Sequence, residues 1–112
     1  MKRHLVTYKA KPDRAEENQQ LIEAVFRELH AKSPDNLRYA ALRLADDTFV
    51  HIVASSEEPS PLVTLDAFRR FQDGIQERCS EAPRRQQVTV VGNYRMLDEA
   101  DIQSLSKAVR RA

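Results

Sequence analysis

The spacing of apolar and polar residues predicts four strands and two main helices. Two β-rich segments, 37–44 and 48–54, are predicted to form a hairpin because only Ala45-Asp46-Asp47 separates them. Further strands are predicted over 4–9 and 84–94. Between the first two strands, a helix is predicted from an apolar stripe at spacings of three and four: Ala15, Leu21, Ile22, Val25, Phe26 and Leu29.

Capping residues set the predicted helix ends. Asp13 and Glu16 have the spacing of a capping box at the start of the first helix. Ser60, followed by a proline, is predicted to cap a second helix that keeps its apolar spacing as far as Ile75. A third helix is predicted over 98–111. The element order β-α-β-β-α-β therefore indicates an α+β, ferredoxin-like fold with an antiparallel sheet.

The hairpin is predicted to be apolar on both faces. Pairing Leu44 with Thr48 places the members of each set on one face: Tyr39, Ala41, Arg43, Phe49, His51 and Val53, against Ala40, Leu42, Val50 and Ile52. In an antiparallel sheet with one face exposed to water, apolar and polar residues alternate more clearly than they do here. We therefore expect the helices to cover one face and a second copy of the chain to cover the other, closing a dimeric barrel. A slip of one residue would exchange the two faces.

Composition narrows the function classes. The chain has 112 residues with 18 Lys plus Arg and 17 Asp plus Glu, so we expect one domain over 1–112, with its core over 4–95, and no nucleic-acid partner. Two glycines are too few for a glycine-rich phosphate loop. A single cysteine and the lack of a signal sequence or a long apolar run favour a cytoplasmic protein without a membrane partner.

Three segments carry a resemblance to a known family: Lys11-Pro12-Asp13 through Leu44, Phe49-Val50-His51-Ile52-Val53, and Leu65-Asp66-Ala67-Phe68. Together with Asn36-Leu37-Arg38-Tyr39 after the first helix, they resemble antibiotic biosynthesis monooxygenase-like domains of the dimeric α/β-barrel superfamily. The resemblance implies a pocket between sheet and helices, and either metal-free oxidation of polycyclic phenols or quinols by O₂, or haem degradation. Where haem-degrading members carry Asn, Trp and His, this chain has Thr7, Ser55 and Phe68, so haem degradation is not implied.

Five polar or aromatic side chains have to be weighed as site residues. His51 is expected to titrate near neutrality and could take a phenolic proton, or it could be a structural histidine bonded across the sheet. Tyr39 could donate to a substrate carbonyl or pack at the rim, and Arg43 could stabilise a phenolate or reach solvent. Thr7 enters the pocket by resemblance only. Tyr8 is predicted to point the opposite way, into the dimer barrel.

Two functions follow from these residues. The first is a cofactor-independent monooxygenase acting on a small aromatic phenol or quinol, with His51 and Tyr39 as catalytic residues. Its substrate-binding residues would be Thr7, Arg43, Phe26, Phe68 and Phe71, although a phenylalanine stripe is also typical of a core. The alternative is a non-catalytic dimeric module that binds a small hydrophobic ligand or serves only assembly. The histidines fall on separate elements, so neither a metal nor a cofactor is predicted.

Overall fold

The computed structural model describes residues 2–97, and the helix predicted over 98–111 lies outside them. Within that range the elements follow the order β1 (Lys2–Ala10), α1 (Ala15–Lys32), β2 (Leu37–Arg43), β3 (Thr48–Ser55), a 3-10 helix (Pro61–Thr64), α2 (Asp66–Gln72), α3 (Ile75–Arg78) and β4 (Cys79–Gln87). The strands form one antiparallel sheet in the order β2-β3-β1-β4. This confirms the predicted α+β, ferredoxin-like fold.

The β2–β3 hairpin has the predicted register. The Leu44 amide donates to the Thr48 carbonyl at 2.8 Å, and Arg43 lies opposite Phe49. Tyr39, Phe49 and His51 therefore share the face that packs against the helices, as predicted. We call this the helix face and the opposite side of the sheet the outer face.

The first strand is turned over relative to its prediction. Tyr8 lies opposite Phe49, whereas Thr7 lies opposite Val50. Because residues paired across strands share a face, Tyr8 points to the helix face, where it is 3% exposed, and Thr7 points to the outer face. The predicted placements of Thr7 in the helix-side pocket and of Tyr8 in the dimer barrel are both wrong. The resemblance to the monooxygenase-like family does not indicate which residues of β3 pair with those of β1. An error of one residue in that pairing exchanges the two faces.

The first helix begins without the predicted capping box. Arg14 occupies the N-cap position, and no side chain caps the helix there. Glu16, predicted to reach back to Asp13, instead accepts a hydrogen bond from Arg43 at 3.1 Å. Burial of the stripe that includes Ala15, Ile22 and Val25 holds the helix to the sheet, consistent with the view that packing contributes more than a cap.

The predicted second helix is divided into three short ones. Ser60 does cap the first of them, since its hydroxyl accepts from the Leu62 amide at 3.2 Å. The backbone is then extended at Leu65 before α2, whose Ala67 amide donates to Glu28 of α1 at 2.9 Å. Gly74, with φ of +75°, separates α2 from α3 in a left-handed conformation that glycine adopts at little cost.

The last strand lies earlier in the chain than the predicted span of 84–94. Strand β4 (Cys79–Gln87) is an edge strand, and within residues 2–97 it pairs with β1 alone. An edge strand needs backbone partners more than apolar side chains, and it tolerates Pro83. The apolar run that suggested a strand follows β4 instead, and its Val91 is 87% exposed.

The core lies between the helix face and the helices, and it contains Tyr8, Val25, Phe49, Leu65 and Phe71. The outer face of this single chain is covered less well. Leu42 is 53% exposed there, and Leu5, Val50 and Ile52 are half-buried. Among residues 2–97, no helix combines the length and the apolar content needed to cross a bilayer.

Candidate functional site

Five side chains form a continuous line of hydrogen bonds through the core, which we call the polar chain: Tyr39, His51, Tyr8, Asn18 and Arg78. The Tyr39 hydroxyl lies 2.6 Å from His51 Nδ1, and the Tyr8 hydroxyl lies 2.9 Å from His51 Nε2. Asn18 Nδ2 donates to the Tyr8 hydroxyl at 2.8 Å, and Arg78 Nε donates to Asn18 Oδ1 at 3.0 Å. Every ring nitrogen of the buried imidazole thus has a partner.

The sheet register brings the three rings of the polar chain together. His51 is paired directly with Val6 on β1 and with Ala41 on β2. Tyr8 and Tyr39 are therefore its diagonal neighbours on the two sides, within reach of long aromatic side chains. The ring planes are inclined to the imidazole by 28° for Tyr8 and 24° for Tyr39, with centroids 5.4 Å and 5.7 Å away.

Asn18 and Arg78 extend the polar chain beyond the sheet. Asn18 is fully buried in the stripe of α1 that faces the sheet. Arg78, at the end of α3, is 2% exposed, and its guanidinium also donates to the backbone carbonyls of Phe71 and Asp73. A buried charge without hydrogen bonds would be costly, so these three acceptors account for its presence in the core.

Burial controls the ionisation of the rings. Desolvation lowers the pKa of His51 to about 4, so the imidazole is neutral at neutral pH. Desolvation likewise raises the pKa of Tyr8 and of Tyr39, so both hydroxyls keep their protons. The expectation that His51 titrates near neutrality is therefore wrong, and an imidazole with so low a pKa is a poor base for a phenolic proton.

A groove lies between α1 and the β2–β3 hairpin, with a volume of about 640 Å³. We call it the hairpin groove. Its apolar walls are Ile22, Phe26, Ala41 and Phe49, and its polar rim is Gln19, Glu23, Arg27, His30 and Arg43. Leu42 borders the groove from strand β2, although its side chain belongs to the outer face. A second groove of about 310 Å³, which we call the Tyr39 groove, lies beside Leu37 and Pro34 and shares Phe26 and His30 with the first. The grooves described here do not include His51 in their walls.

The structure brings some of the predicted site residues together. His51, Tyr39 and Phe71 belong to one aromatic cluster, and Phe26 stacks on Tyr39 with centroids 4.7 Å apart. Phe71 is a core residue. Phe68 lines a separate groove of about 220 Å³, and Thr7 lies on the outer face, so neither joins the hairpin groove.

Arg43 stands at the rim with its charge already matched. Its guanidinium donates to Asp47 at 2.8 Å, to Glu16 at 3.1 Å and to Gln19 at 2.7 Å. It also lies over the Phe49 ring, 5.6 Å from the centroid. Arg43 therefore ties α1 to the hairpin and extends the groove wall, and a phenolate would have to compete with two carboxylates for it.

Sequence reasoning placed Tyr8 on the wrong face and missed Asn18 and Arg78. A signal for one of them was present, because Asn18 lies three residues after Ala15 and four before Ile22, inside the apolar stripe. A polar residue at such a position faces the core and needs a buried partner. Across the described part of the chain, no group of three His, Cys, Asp or Glu side chains is arranged to hold a metal ion.

The fold is similar to that of antibiotic biosynthesis monooxygenase-like domains, the family that the sequence also resembles. A protein of Nitrosomonas europaea provisionally named an antibiotic biosynthesis monooxygenase superposes with a TM-score of 0.67 at 17% identity, covering 82% of this chain and 100% of its own. A protein of Bacteroides thetaiotaomicron with the same provisional name gives a TM-score of 0.70 at 12% identity, covering 87% of this chain and 95% of its own.

Rv0793 from Mycobacterium tuberculosis gives a TM-score of 0.65 at 11% identity, covering 82% of this chain and 96% of its own. No family model and no curated protein matches the sequence. At identities this low, the likeness establishes the fold and leaves the activity to be argued from the residues.

Proposed function

We propose that this chain is a dimeric module that binds a small, flat, apolar ligand in the hairpin groove. The observation that carries the proposal is a groove of about 640 Å³ that has apolar walls and a polar rim. Ligand sites usually have volumes of roughly 300–1,000 Å³ and combine apolar walls with few polar groups. Because the Arg43 charge is matched by Asp47 and Glu16, the groove favours an uncharged aromatic ligand over an anion.

Binding is tested with 2,3-dimethyl-1,4-naphthoquinone, whose substituted ring carbons do not react readily with the Cys79 thiol. We expect saturable amide shifts at Ile22, Phe26 and Ala41 in two-dimensional NMR spectra. Phe26→Leu removes the ring that lines the groove and should weaken binding by roughly three- to tenfold, the range expected for lost aromatic contact.

Phe68→Leu is the matched control, because Phe68 is also a half-buried helical phenylalanine but lines another groove. It should leave the affinity unchanged. Absence of saturable shifts up to millimolar ligand, or equal weakening by both substitutions, would contradict a site in the hairpin groove.

A cofactor-independent monooxygenase is the second candidate function, favoured by the names of the fold neighbours and by Tyr39, whose hydroxyl is bonded to His51 while the residue lines a groove. In the balanced reaction, a 1-naphthol and O₂ give a 1,4-naphthoquinone and water. One oxygen atom enters the ring, the other leaves as water, and the phenol supplies all four electrons. Tyr39 would hold the substrate oxygen, and neutral His51 would position Tyr39.

Oxygen uptake with naphthols and dihydroxynaphthalenes tests this candidate against a control without protein. Tyr39→Phe keeps the ring that stacks on Phe26 and should abolish protein-dependent uptake if Tyr39 holds the substrate. His51→Ala should slow it as well. Oxygen uptake no faster than in the control without protein would exclude the monooxygenase function, and the binding-module function would remain.

A homodimer formed through the outer face completes the proposal. Leu42, Val50 and Ile52 make this face apolar, and a monomer that exposes such a patch tends to aggregate. Light scattering should give twice the chain mass of 12.9 kDa. Ile52→Lys should give the monomer mass, whereas Val63→Lys, at an exposed apolar site on the 3-10 helix, should stay dimeric. A monomeric wild type at micromolar concentration would exclude this dimer.

A further inference from the structure

We infer that every hydrogen bond of the polar chain is donated in the same direction, from Arg78 towards Tyr39. The Tyr39 hydroxyl is then left as a hydrogen-bond donor, and it selects ligands that present an acceptor oxygen, such as a quinone carbonyl. The direction follows from the protein alone. The ligand class rests in addition on the proposed function, and it requires that the ligand extend from the hairpin groove past Phe26 and His30, which line both grooves, to Tyr39.

The direction is set at the Arg78 end of the polar chain. A guanidinium has donors only, so the atom of Asn18 that faces Arg78 Nε at 3.0 Å must be the amide oxygen. The amide nitrogen then faces Tyr8 and donates to its hydroxyl oxygen at 2.8 Å. Two carbonyls, those of Phe71 and Asp73, hold the guanidinium in place and leave it no freedom to turn away.

Tyr8 determines that His51 Nε2 is a hydrogen-bond acceptor. Its hydroxyl oxygen accepts from Asn18, and its own proton has His51 Nε2 as the acceptor at 2.9 Å. In the reverse arrangement, Nε2 would donate to Tyr8, and the Tyr8 proton would be buried without an acceptor. Since Tyr8 is almost completely buried, the reverse arrangement is strongly disfavoured.

Tyr39 is the end point of the direction. A neutral imidazole carries one proton, so Nε2 as acceptor requires the proton on Nδ1, which then donates to the Tyr39 oxygen at 2.6 Å. Among the described residues, His51 is the hydrogen-bond partner of the Tyr39 hydroxyl, and it occupies the oxygen. The Tyr39 proton is therefore left for another acceptor, and Tyr39 is half-buried at the wall of the Tyr39 groove.

The histidine tautomer tests the direction without any ligand. In protein labelled with ¹⁵N at histidine, long-range ¹H–¹⁵N correlations should show His51 protonated at Nδ1. Asn18→Asp replaces the amide donor by a carboxylate of nearly the same shape that still accepts from Arg78. Tyr8 must then donate to that carboxylate, so His51 should switch to protonation at Nε2.

Asn36→Asp, an exposed Asn→Asp change on the loop before β2, is the control and should leave the tautomer at Nδ1. The Nε2 tautomer in the wild-type protein would overturn the inference, so the test does not depend on whether Asn18→Asp folds. An unchanged tautomer in a folded Asn18→Asp protein would overturn it as well, since a purely structural Asn18 predicts no switch.

Ligand affinity tests the acceptor preference. Tyr39→Phe should weaken binding of 2,3-dimethyl-1,4-naphthoquinone by roughly three- to tenfold, the value of one hydrogen bond, and should leave 2,3-dimethylnaphthalene unaffected. Asn18→Asp should reproduce the selective loss without touching the ligand. Equal losses for both ligands would refute the preference. If neither ligand binds, the proposed function and the ligand class fail together, while the tautomer still decides the direction.

Discussion

Acidification should destabilise this protein through His51, and the effect can be isolated. The pKa of His51 is lowered by burial to about 4, whereas an unfolded chain has its ordinary value of about 6.5. As the pH falls below about 6.5, the unfolded chain takes up a proton that the folded protein does not bind. Stability is therefore fully present above that pH and is lost progressively until the folded imidazole also titrates near pH 4.

The size of the effect follows from the difference between the two pKa values. A difference of between two and three pH units corresponds to about 3 kcal/mol, at up to about 1.4 kcal/mol for each pH unit. Single domains have unfolding free energies of roughly 5–15 kcal/mol, so His51 alone should remove a large fraction by pH 4. Carboxylates such as Glu17 and Asp46 also have lowered pKa values, so the wild-type slope contains their contributions too.

Urea denaturation of wild type and His51→Phe at several pH values separates these contributions. Circular dichroism is the appropriate signal because the chain has no tryptophan. His51→Phe loses its hydrogen bonds at every pH, but it cannot bind the proton, so its stability relative to wild type should improve by about 3 kcal/mol between pH 7 and 4. His30→Phe, which replaces an exposed histidine near the end of α1, should follow the wild-type slope.

A difference between wild type and His51→Phe that does not change with pH would refute this account. So would an NMR titration of His51 in the folded protein with a midpoint near 6.5. Either result would mean that the imidazole is better solvated than its burial indicates, and that it could again be considered as a base.

Three further changes should lower the urea midpoint. Leu65→Ala empties a fully buried site and should cost about 2–5 kcal/mol, so a cost below about 1 kcal/mol would show a looser core. Gly74→Ala places a side chain at φ of +75° and should cost roughly 1–2 kcal/mol, and a neutral result would rule out the left-handed break between α2 and α3. Asn18→Leu leaves Arg78 without one acceptor and Tyr8 without its donor, so it should cost at least about 2 kcal/mol, and an unchanged midpoint would contradict the polar chain.

Pairings between residues close together in the chain could be predicted, whereas pairings between distant residues could not. The β2–β3 register was predictable because a three-residue loop joins the strands and the alternating pattern fixes which side each residue faces. The register of β1 against β3 was not, because that pairing joins residues between 39 and 53 positions apart and no short loop constrains it. Tyr8 and Thr7 were consequently assigned to the wrong faces.

The second helix and the last strand show the same limit. Apolar spacing predicted a helix as far as Ile75, but the extended residue Leu65 and the left-handed Gly74 divide it. The Ala67 amide at the start of α2 donates to Glu28 of α1, a contact between distant parts of the chain that local spacing does not reveal. Strand β4 is polar, so no periodicity marks it. Its backbone hydrogen bonds to β1 define it as a strand, and these form only in the folded protein.

The element order, the ferredoxin-like class and the hairpin register could be predicted from the sequence, and with them the common face of Tyr39 and His51. The chemistry of that face depends on contacts that form only in the folded chain. The tertiary structure brought Asn18 and Arg78, which are 60 positions apart, into contact with each other, and it buried His51 between two tyrosines. Ionisation and proton direction depend on desolvation and on these distant partners, and neither quantity is encoded in the local pattern of apolar and polar residues.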